Sequence, residues 1–430
     1  MAHTHQLLLE LSELGHLVAL ESSNTEHDNG RWSIIAANPK EIIEIKDSLS
    51  IPQAINQLHT LSQELPNHSS KLPFTGGLIG HISYDFGIPN SNKLKLKQYK
   101  VLPTLLVGLY TWSFVIDHKE ECSYLTYWSD DTNSEAELKT KFIQCLKEHK
   151  QQKESDFKIH AAFQPHWDKP TYKQKIESIK DYIVNGDIYQ ANLAQHFSAS
   201  YSGNPINAYS ALKESANVPF ATYFESDNWS FASASPELFI QYENGVATTK
   251  PIKGTLPRLP NPEDDNLQKL RLSSSPKDMA ENLMIVDLLR NDLSKHGSNI
   301  CVSKLFDIET FSTVHHLVST ITSNVNRRDI IKLLLDAFPG GSITGAPKQR
   351  AMEIISELEC FPRSFYCGST FYLSSNHKFN SNILIRSFLF EDSKVTCWAG
   401  GGIVHDSQWE SEYQESLDKI TKLMECLTKV

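Results

Sequence analysis

No cysteine pattern marks this chain. Its seven cysteines, at 122, 145, 301, 360, 367, 397 and 426, are odd in number and scattered, with no C-x-x-C spacing. That argues against a disulfide framework or a structural zinc site and reads as reduced thiols in a cytoplasmic protein. A basic excess is also missing. Across 430 residues, 41 Lys+Arg face 51 Asp+Glu, for a net charge of −10, so no positive face offers itself to a nucleic acid. No run is apolar for long enough to span a bilayer, which predicts no membrane association. The opening MAHTHQLLLELSELGHLVAL is broken by Glu10, Glu13 and His16 and does not read as a signal peptide. Internal repeats and low-complexity tracts are absent. With 40% apolar and 10% aromatic residues, the chain has material for a sizeable core and is not disordered.

A polar, charged stretch at 146–170 divides the chain into a lobe over 1–145 and a longer one over 165–430. The second opens on a predicted helix through Tyr172, Ile176, Ile179 and Ile183, stopped by Asn185-Gly186. The strand after it carries Gln190, Asn192 and His196 on one face, too polar for a core. Asn244-Gly245 between two β-rich runs predicts a hairpin. Its register brings Glu237 and Lys253 to one end, on opposite faces unless Pro236 and Pro251 introduce a bulge. Met279, Leu283, Val286, Leu289 and Leu293 mark a long helix, and Tyr413, Leu417, Ile420, Met424 and Leu427 a last one. Strands on both sides of long helices predict an α+β fold with antiparallel sheets.

Four acids fall in two helical pairs, Asp278 with Glu281 and Glu412 with Glu415. If the two faces meet, they form an oxygen-rich site for a hard cation such as Mg²⁺. The plainer alternative is a Ser275–Asp278 capping box and a Glu415–Lys419 surface pair. Lys253, in PIKGT, is locked between prolines. Desolvated there it would lose its proton and become a nucleophile; otherwise it is a strand-end lysine. FPGGSITGAPK lacks the Gly-Lys-Ser/Thr ending of a phosphate loop. It and Gly400-Gly401-Gly402 are either anion-cradling backbone or tight turns. His316 and Tyr366 are lone polar residues, and Arg386 lies within the apolar run NILIRSFLF, where an arginine needs an anionic partner.

The segments GDIYQANLAQ, ASPELF, PIKGT, KDMAENLMIVDLLRNDL, GGSITGAPKQRAMEII and GGGIVHDSQWESEYQES with Lys419 are spread over residues 186–419. In that order they resemble the chorismate-utilising enzymes, which include the large subunits of anthranilate and aminodeoxychorismate synthases. The resemblance implies a large two-sheet antiparallel sandwich flanked by helices, of the anthranilate synthase component I type. Lys253 stands where anthranilate synthases carry a small residue, and Gln190 where water-adding members carry a lysine. The chain is therefore similar to the aminodeoxychorismate synthase branch, which aminates chorismate at C4 in p-aminobenzoate and folate synthesis. The alternative is amination at C2 with loss of pyruvate.

The resemblance further implies Lys253 as nucleophile and Glu237 as proton donor. Glu281 and Glu415 become direct Mg²⁺ ligands, with Asp278 (shorter than the usual Glu) and Glu412 acting through water. Gln190, His316, Ser342, Tyr366, Arg386, Gly400, Gly401, Gly402 and Lys419 line the substrate pocket. Since no nucleophilic cysteine stands in a glutaminase-type elbow, a separate glutaminase subunit would supply ammonia. In the N-terminal lobe, ALESS and GRW resemble a tryptophan pocket formed by Ser22, Asn29, Gly30, Arg31, Trp32, Pro219, Phe220 and Ala221. That pocket is either occupied by tryptophan or vestigial.

Overall fold

A computed structural model of the chain describes residues 2–25, 27–45, 51–87, 102–128, 140, 156–311 and 314–430. Two antiparallel sheets, twelve- and ten-stranded, form its frame. The first runs Gly345–Ala346, Gln190–Ser202, Lys394–Ile403, Ser387–Glu391, Trp229–Ser235, Phe220–Ser226, Val18–Glu21, Trp32–Ala36, Trp112–Asp117 and Cys122–Tyr127, with two short strands at its edge. In the second, Leu238–Glu243, Phe379–Ile383, Ser369–Ser374, Gly77–Ile82, Leu105–Tyr110 and Glu41–Ile45 follow in order from Val246–Thr249. Both sheets take strands from either side of the polar stretch, so the sequence boundary between 1–145 and 165–430 divides the chain but not the sheets.

Side-chain alternation explains the layering. On Trp229–Ser235, Trp229 and Phe231 enter the core between the sheets, while Ala232 and Ala234 face the other way. That outer face is covered by helices Ala2–Ser12, Pro205–Ala216 and Thr421–Leu427 through Leu8, Ile206, Tyr209 and Leu423. The helix Lys169–Val184 buries Tyr172, Ile176 and Ile179 and ends at Asn185, as its spacing predicts. Asn244 and Gly245, at φ +53° and +84°, turn the hairpin that pairs Glu243 with Val246. None of the described helices is long and apolar enough to cross a membrane. The described cysteines are all free, and Cys145 lies outside the described residues.

Two expectations change. The helix Pro276–Ser294 buries Asn282, Ile285, Val286, Leu289 and Leu293, while Leu283 is 53% exposed, because the buried stripe lies one position to its side. The last predicted helix breaks into Trp409–Asp418 and Thr421–Leu427. Ile420, at φ −128°, is the joint.

His81, on Gly77–Ile82, is fully buried among Phe365, Phe224, Trp229 and Phe231, with ring centroids 4.7–5.6 Å away. Burial drops its pKa to about 3, with a main-chain contact to Pro103 opposing only weakly. A histidine depressed in this way costs nothing above its unfolded pKa and loses stability as the pH falls from there toward the folded value. Lowering the pH from 7.5 to 5 should therefore remove about 2 kcal/mol at this residue. In His81→Leu that part of the pH dependence should vanish from thermal midpoints measured at the two pH values.

Candidate active site

The site is assembled where two neighbouring strands change sheets together. Trp229–Ser235 belongs to the first sheet and continues, past Pro236 and Glu237, as Leu238–Glu243 of the second. Phe379–Ile383 and Ser387–Glu391 make the same passage in reverse. The two corners bond each other: Ser235 Oγ donates to the Ile383 carbonyl at 2.5 Å, Ile383 N to the Glu237 carbonyl at 3.1 Å, and Ala234 N to the Arg386 carbonyl at 3.1 Å. Arg386 is thus not inside an apolar strand, as its sequence suggests. It is the corner, at φ +54°.

Lys253 arrives from a third direction. Val246–Thr249 and Ile252–Pro257 are one strand interrupted at Pro251, both paired to Val314–Val325. A register shift between Lys253 and Thr255, and another between Leu238 and Ile240, supply the bulges that the two prolines predict. Gly254, at φ +75°, leaves no room for a side chain, since a Cβ would meet Leu272 and the Asp278 carboxyl carbon within 3 Å.

Glu237 and Lys253 converge on Ser342, in the short turn Gly341–Ile343. Lys253 Nζ donates to the Ser342 carbonyl at 3.3 Å, and the Ser342 side chain hydrogen-bonds Glu237. Burial acts oppositely on the pair because each is pushed toward its neutral form. It raises the Glu237 pKa against the pull of Ser342 and Lys253. It lowers that of Lys253 against Glu281, Glu237 and Glu415, with Lys419 adding to the fall.

The acid pairs come to this place as well. Ser275 caps the Pro276–Ser294 helix by accepting from Asp278 N, so the capping expectation also holds. Burial raises the Glu281 pKa, countered first by Lys253. On the facing helix Glu412 is buried, accepts from Ser407 Oγ at 2.7 Å, and is raised chiefly by burial. Glu415 is lowered: burial pushes it up, but Lys419, Lys277 and Lys253 together outweigh that. Lys419 Nζ lies 2.7 Å from Glu415 and donates to the Gly400 carbonyl at 3.0 Å. A Cβ on Gly401 would sit 3.4–3.6 Å from Glu412, Lys419 and Glu415, so glycine keeps the space before them clear. Among the described residues no three His, Cys, Asp or Glu side chains close around one point. The donor set is nonetheless all carboxylate, which suits a hard cation that retains water.

The remaining predicted residues fall around this centre. His316 is bonded to Thr255 Oγ1 at 2.8 Å and is dropped to about 4 by burial and then by Arg386. The Arg386 guanidinium has no carboxylate partner among the described residues and is lowered by burial alone. Tyr366 is buried and stacks on Trp398 at 6.3 Å. Gln190 is buried with Oε1 unpartnered, against Gly402. Gly400 and Gly402 pair with Ala194 and Asn192, Gly400 too close to the Leu193 carbonyl for any side chain.

Over the middle strands of the second sheet a cavity of about 260 Å³ opens between the two layers. Asn29, Trp32, Pro219, Phe220 and Ala221 line it, as expected. Ser22, Gly30 and Arg31 do not: Ser22 bonds Asn24 and Val218, Gly30 is pressed against Asn24, and Arg31 pairs with Asp117 at 2.6 Å. The opposite wall, including Thr370, Tyr372, Asn380 and Asn382, escaped the sequence reading. Its one signal is a pair of asparagines at alternate positions of an otherwise sheet-like run. Sequence reasoning also missed Glu359 and Arg363, an i,i+4 pair buried beside the Ser342 turn.

A two-sheet sandwich with an amine, a carboxyl and facing acid pairs around one turn defines a class. The chain matches the model of the chorismate binding enzyme family over residues 17–425 and belongs to that family. It is 38% identical to aminodeoxychorismate synthase component 1 of Escherichia coli (strain K12), over 97% of this chain and 95% of that protein. Anthranilate synthase component 1 of Lactococcus lactis subsp. lactis (strain IL1403) is 33% identical, over 95% and 93%. The crystal structure of anthranilate synthase component I from Streptococcus pneumoniae TIGR4 has a TM-score of 0.77 with 29% identity, covering 92% of each chain. The fold is therefore of the anthranilate synthase component I type.

Gly402 allows a direct test of the pocket. A Cβ there would fall 2.1 Å from Gln190 Nε2, and its φ is not in the left-handed region. Gly402→Ala should fold, lose about 1–3 kcal/mol through overpacking, and raise the KM for chorismate about tenfold by displacing Gln190. Thermal melting and steady-state kinetics measure both.

Proposed function

We propose that this chain aminates chorismate at C4, forming 4-amino-4-deoxychorismate for p-aminobenzoate and folate synthesis. The observation that carries the reading is the meeting of Lys253 and Glu237 at Ser342, with the amine pushed toward its neutral form and the carboxyl toward its protonated form. Neutral Lys253 Nζ attacks C2 of the ring while Glu237 gives its proton to the departing C4 hydroxyl. Ammonia then adds at C4 and the lysine leaves from C2, which splits one hard displacement into two. Arg386, which lacks an acidic partner, is free to take one substrate carboxylate, with Tyr366, His316 and the 400–402 backbone around it.

Mg²⁺ held by Glu281 and Glu415, with Asp278 and Glu412 acting through water, would supply Lewis-acid withdrawal of charge from the ring carboxylate. Glu415 is half-exposed and its bond to Lys419 is a surface-type pair, so exchanging that partner for a cation costs little.

Ammonia comes, in this reading, from a separate glutaminase. The relatives named component 1 imply a second component. Cys367 and Cys397 are unsuited to that chemistry, since burial pushes the first up to about 12 and the second well above its usual value. The alternative, C2 amination with pyruvate loss, has less support. The chain has Lys253 where the resemblance gives anthranilate synthases a small residue, and several relatives carry the aminodeoxychorismate synthase name.

A second ligand is proposed for the cavity beside Trp32: its volume and its five expected lining residues favour tryptophan. Denatured wild-type protein should release tryptophan by mass spectrometry. Ala221→Leu, which fills the cavity, should release none.

Incubation with chorismate, MgCl₂ and ammonium at pH 8.5, followed by mass analysis, tests the main reading. The expected product is aminodeoxychorismate; anthranilate with pyruvate would overturn it. Lys253→Ala should abolish the product while chorismate binding persists, and full activity in that variant would end the covalent route. Glu415→Gln should weaken Mg²⁺ and chorismate binding together, because coupled ligands affect one another reciprocally.

A further inference from the structure

Arg363 heads the large, fully buried side chains among the described residues at 1% exposure. Of the residues assigned to the site it meets only Tyr366, whose ring lies 5.9 Å from the guanidinium and whose main-chain N–H donates to the Arg363 carbonyl at 3.0 Å. Its guanidinium is fully committed. Nε and Nη2 reach Glu359 at 2.9 and 2.6 Å, Nη1 donates to the Ile343 carbonyl at 3.0 Å, and Nη2 to the Asn192 carbonyl at 2.7 Å. Glu359 accepts in addition from Ala194 N at 2.9 Å. The Arg363 main chain is held in turn. Its N–H and that of Ser364 donate to the two oxygens of Asp85, at 3.2 and 3.0 Å.

Both carbonyls belong to the candidate site. Ile343 directly follows Ser342, the residue on which Lys253 and Glu237 meet. Asn192 lies two residues from Gln190, on the strand that runs antiparallel to Gly400–Gly402. The main-chain bonds within the turn around Ser342, Ile343 N to Gly340 and Thr344 N to Gly341, are both long at 3.4 Å, and Thr344 Oγ1 adds a bond to the Gly340 carbonyl at 3.0 Å. To these Arg363 adds a charge-assisted bond at 3.0 Å, from outside the turn, to the Ile343 carbonyl. A fully buried ion pair is a weak source of net stability, because desolvation offsets its attraction. What this one supplies is a second tie between the turn and the strand, beside the direct bond from Asn192 N to the Thr344 carbonyl at 2.7 Å.

We propose that Arg363, oriented by Glu359, is a positioning residue for the reaction. By holding the Ile343 and Asn192 carbonyls it sets where Ser342 stands, and through Ser342 the approach of Lys253 and Glu237 to the ring. This rests on the amination reading above. It acts on turnover more than on substrate capture, because Arg386 and the acid pairs stand on other elements, and Tyr366 is tied to Arg363 by a main-chain bond that a side-chain substitution leaves in place.

The test uses the full chain with chorismate, MgCl₂ and ammonium. The double variant Arg363→Met/Glu359→Leu removes both charges at similar volume, a change that often leaves stability unaltered or improved. Arg363→Lys keeps the charge but cannot span all the acceptors. In each, kcat per folded molecule should fall about 100-fold, the scale of a 1 Å misplacement, while the KM for chorismate stays within about threefold. A role confined to holding the fold would lower the folded fraction and leave kcat per folded molecule unchanged, and parental kcat in either folded variant overturns the proposal. If the parent makes a different product from chorismate, the amination reading fails on its own and the kcat comparison is made on that product. A parent with no turnover removes both.

Discussion

The constraint behind this site is that two neighbouring strands must leave one sheet and enter the other at the same point. Ser233 pairs with Ser387 on one side of the passage and Leu238 with Asn382 on the other, so a single ladder crosses the gap with its register kept. At the crossing itself the pleat is suspended, and with it the rule that neighbouring side chains alternate between faces. Glu237 and Arg386 occupy those suspended positions. A positive φ at a non-glycine such as Arg386 costs on the order of 1 kcal/mol or more, and it persists because the corner bonds around it leave the chain no other course. Here Ser233 Oγ and Ser235 Oγ donate to the Ile385 and Ile383 carbonyls at 2.9 and 2.5 Å.

Two kinds of ion pair stand near the site, and they differ in how firmly they are held. Glu359 and Arg363 are both 1% exposed, and their side chains bond the Gln190 strand at two places and the turn at Ile343. Glu415 and Lys419 are about half exposed and lie on one helix face. The first pair cannot separate without leaving a bare charge in a medium where that is expensive. The second is screened by water and separates readily. Under the proposed mechanism the two pairs would serve different needs, the rigid one holding the turn against which Lys253 stands and the exchangeable one giving way to a cation.

Much of this was legible in the sequence where local rules decide. The helix ending at Asn185, the Asn244-Gly245 hairpin and the prolines that bulge the strands at Glu237 and Lys253 follow from propensity and turn chemistry alone. What failed depends on the third dimension. NILIRSFLF reads as one strand because nothing in its alternation shows that Leu384–Arg386 passes between sheets. Tyr413 to Leu427 keeps its helical period across the joint at Ile420, since a bend need not disturb spacing. Leu283 differs from its buried neighbours only by which side the second sheet happens to cover. Glu359 and Arg363 look like an ordinary i,i+4 surface pair until the Ser342 turn and the Gln190 strand close over them.

The glycines divide in the same way. Gly345, Gly400 and Gly402 are set by close approach: a Cβ on each would strike the strand carrying Gln190, twice at a main-chain carbonyl and once at the Gln190 amide. Gly401, between two of them, would meet only the tips of Glu412, Lys419 and Glu415 at ordinary contact distance. Within one run, then, two residues let the backbone of one strand lie against its neighbour, while the third leaves open the ground in front of the acids. The packing glycines let the Gln190 strand lie close to the run, and the open one leaves space before the acids; under the proposed function both would be needed for a ring with two carboxylates to lie between Lys253 and the acid pairs.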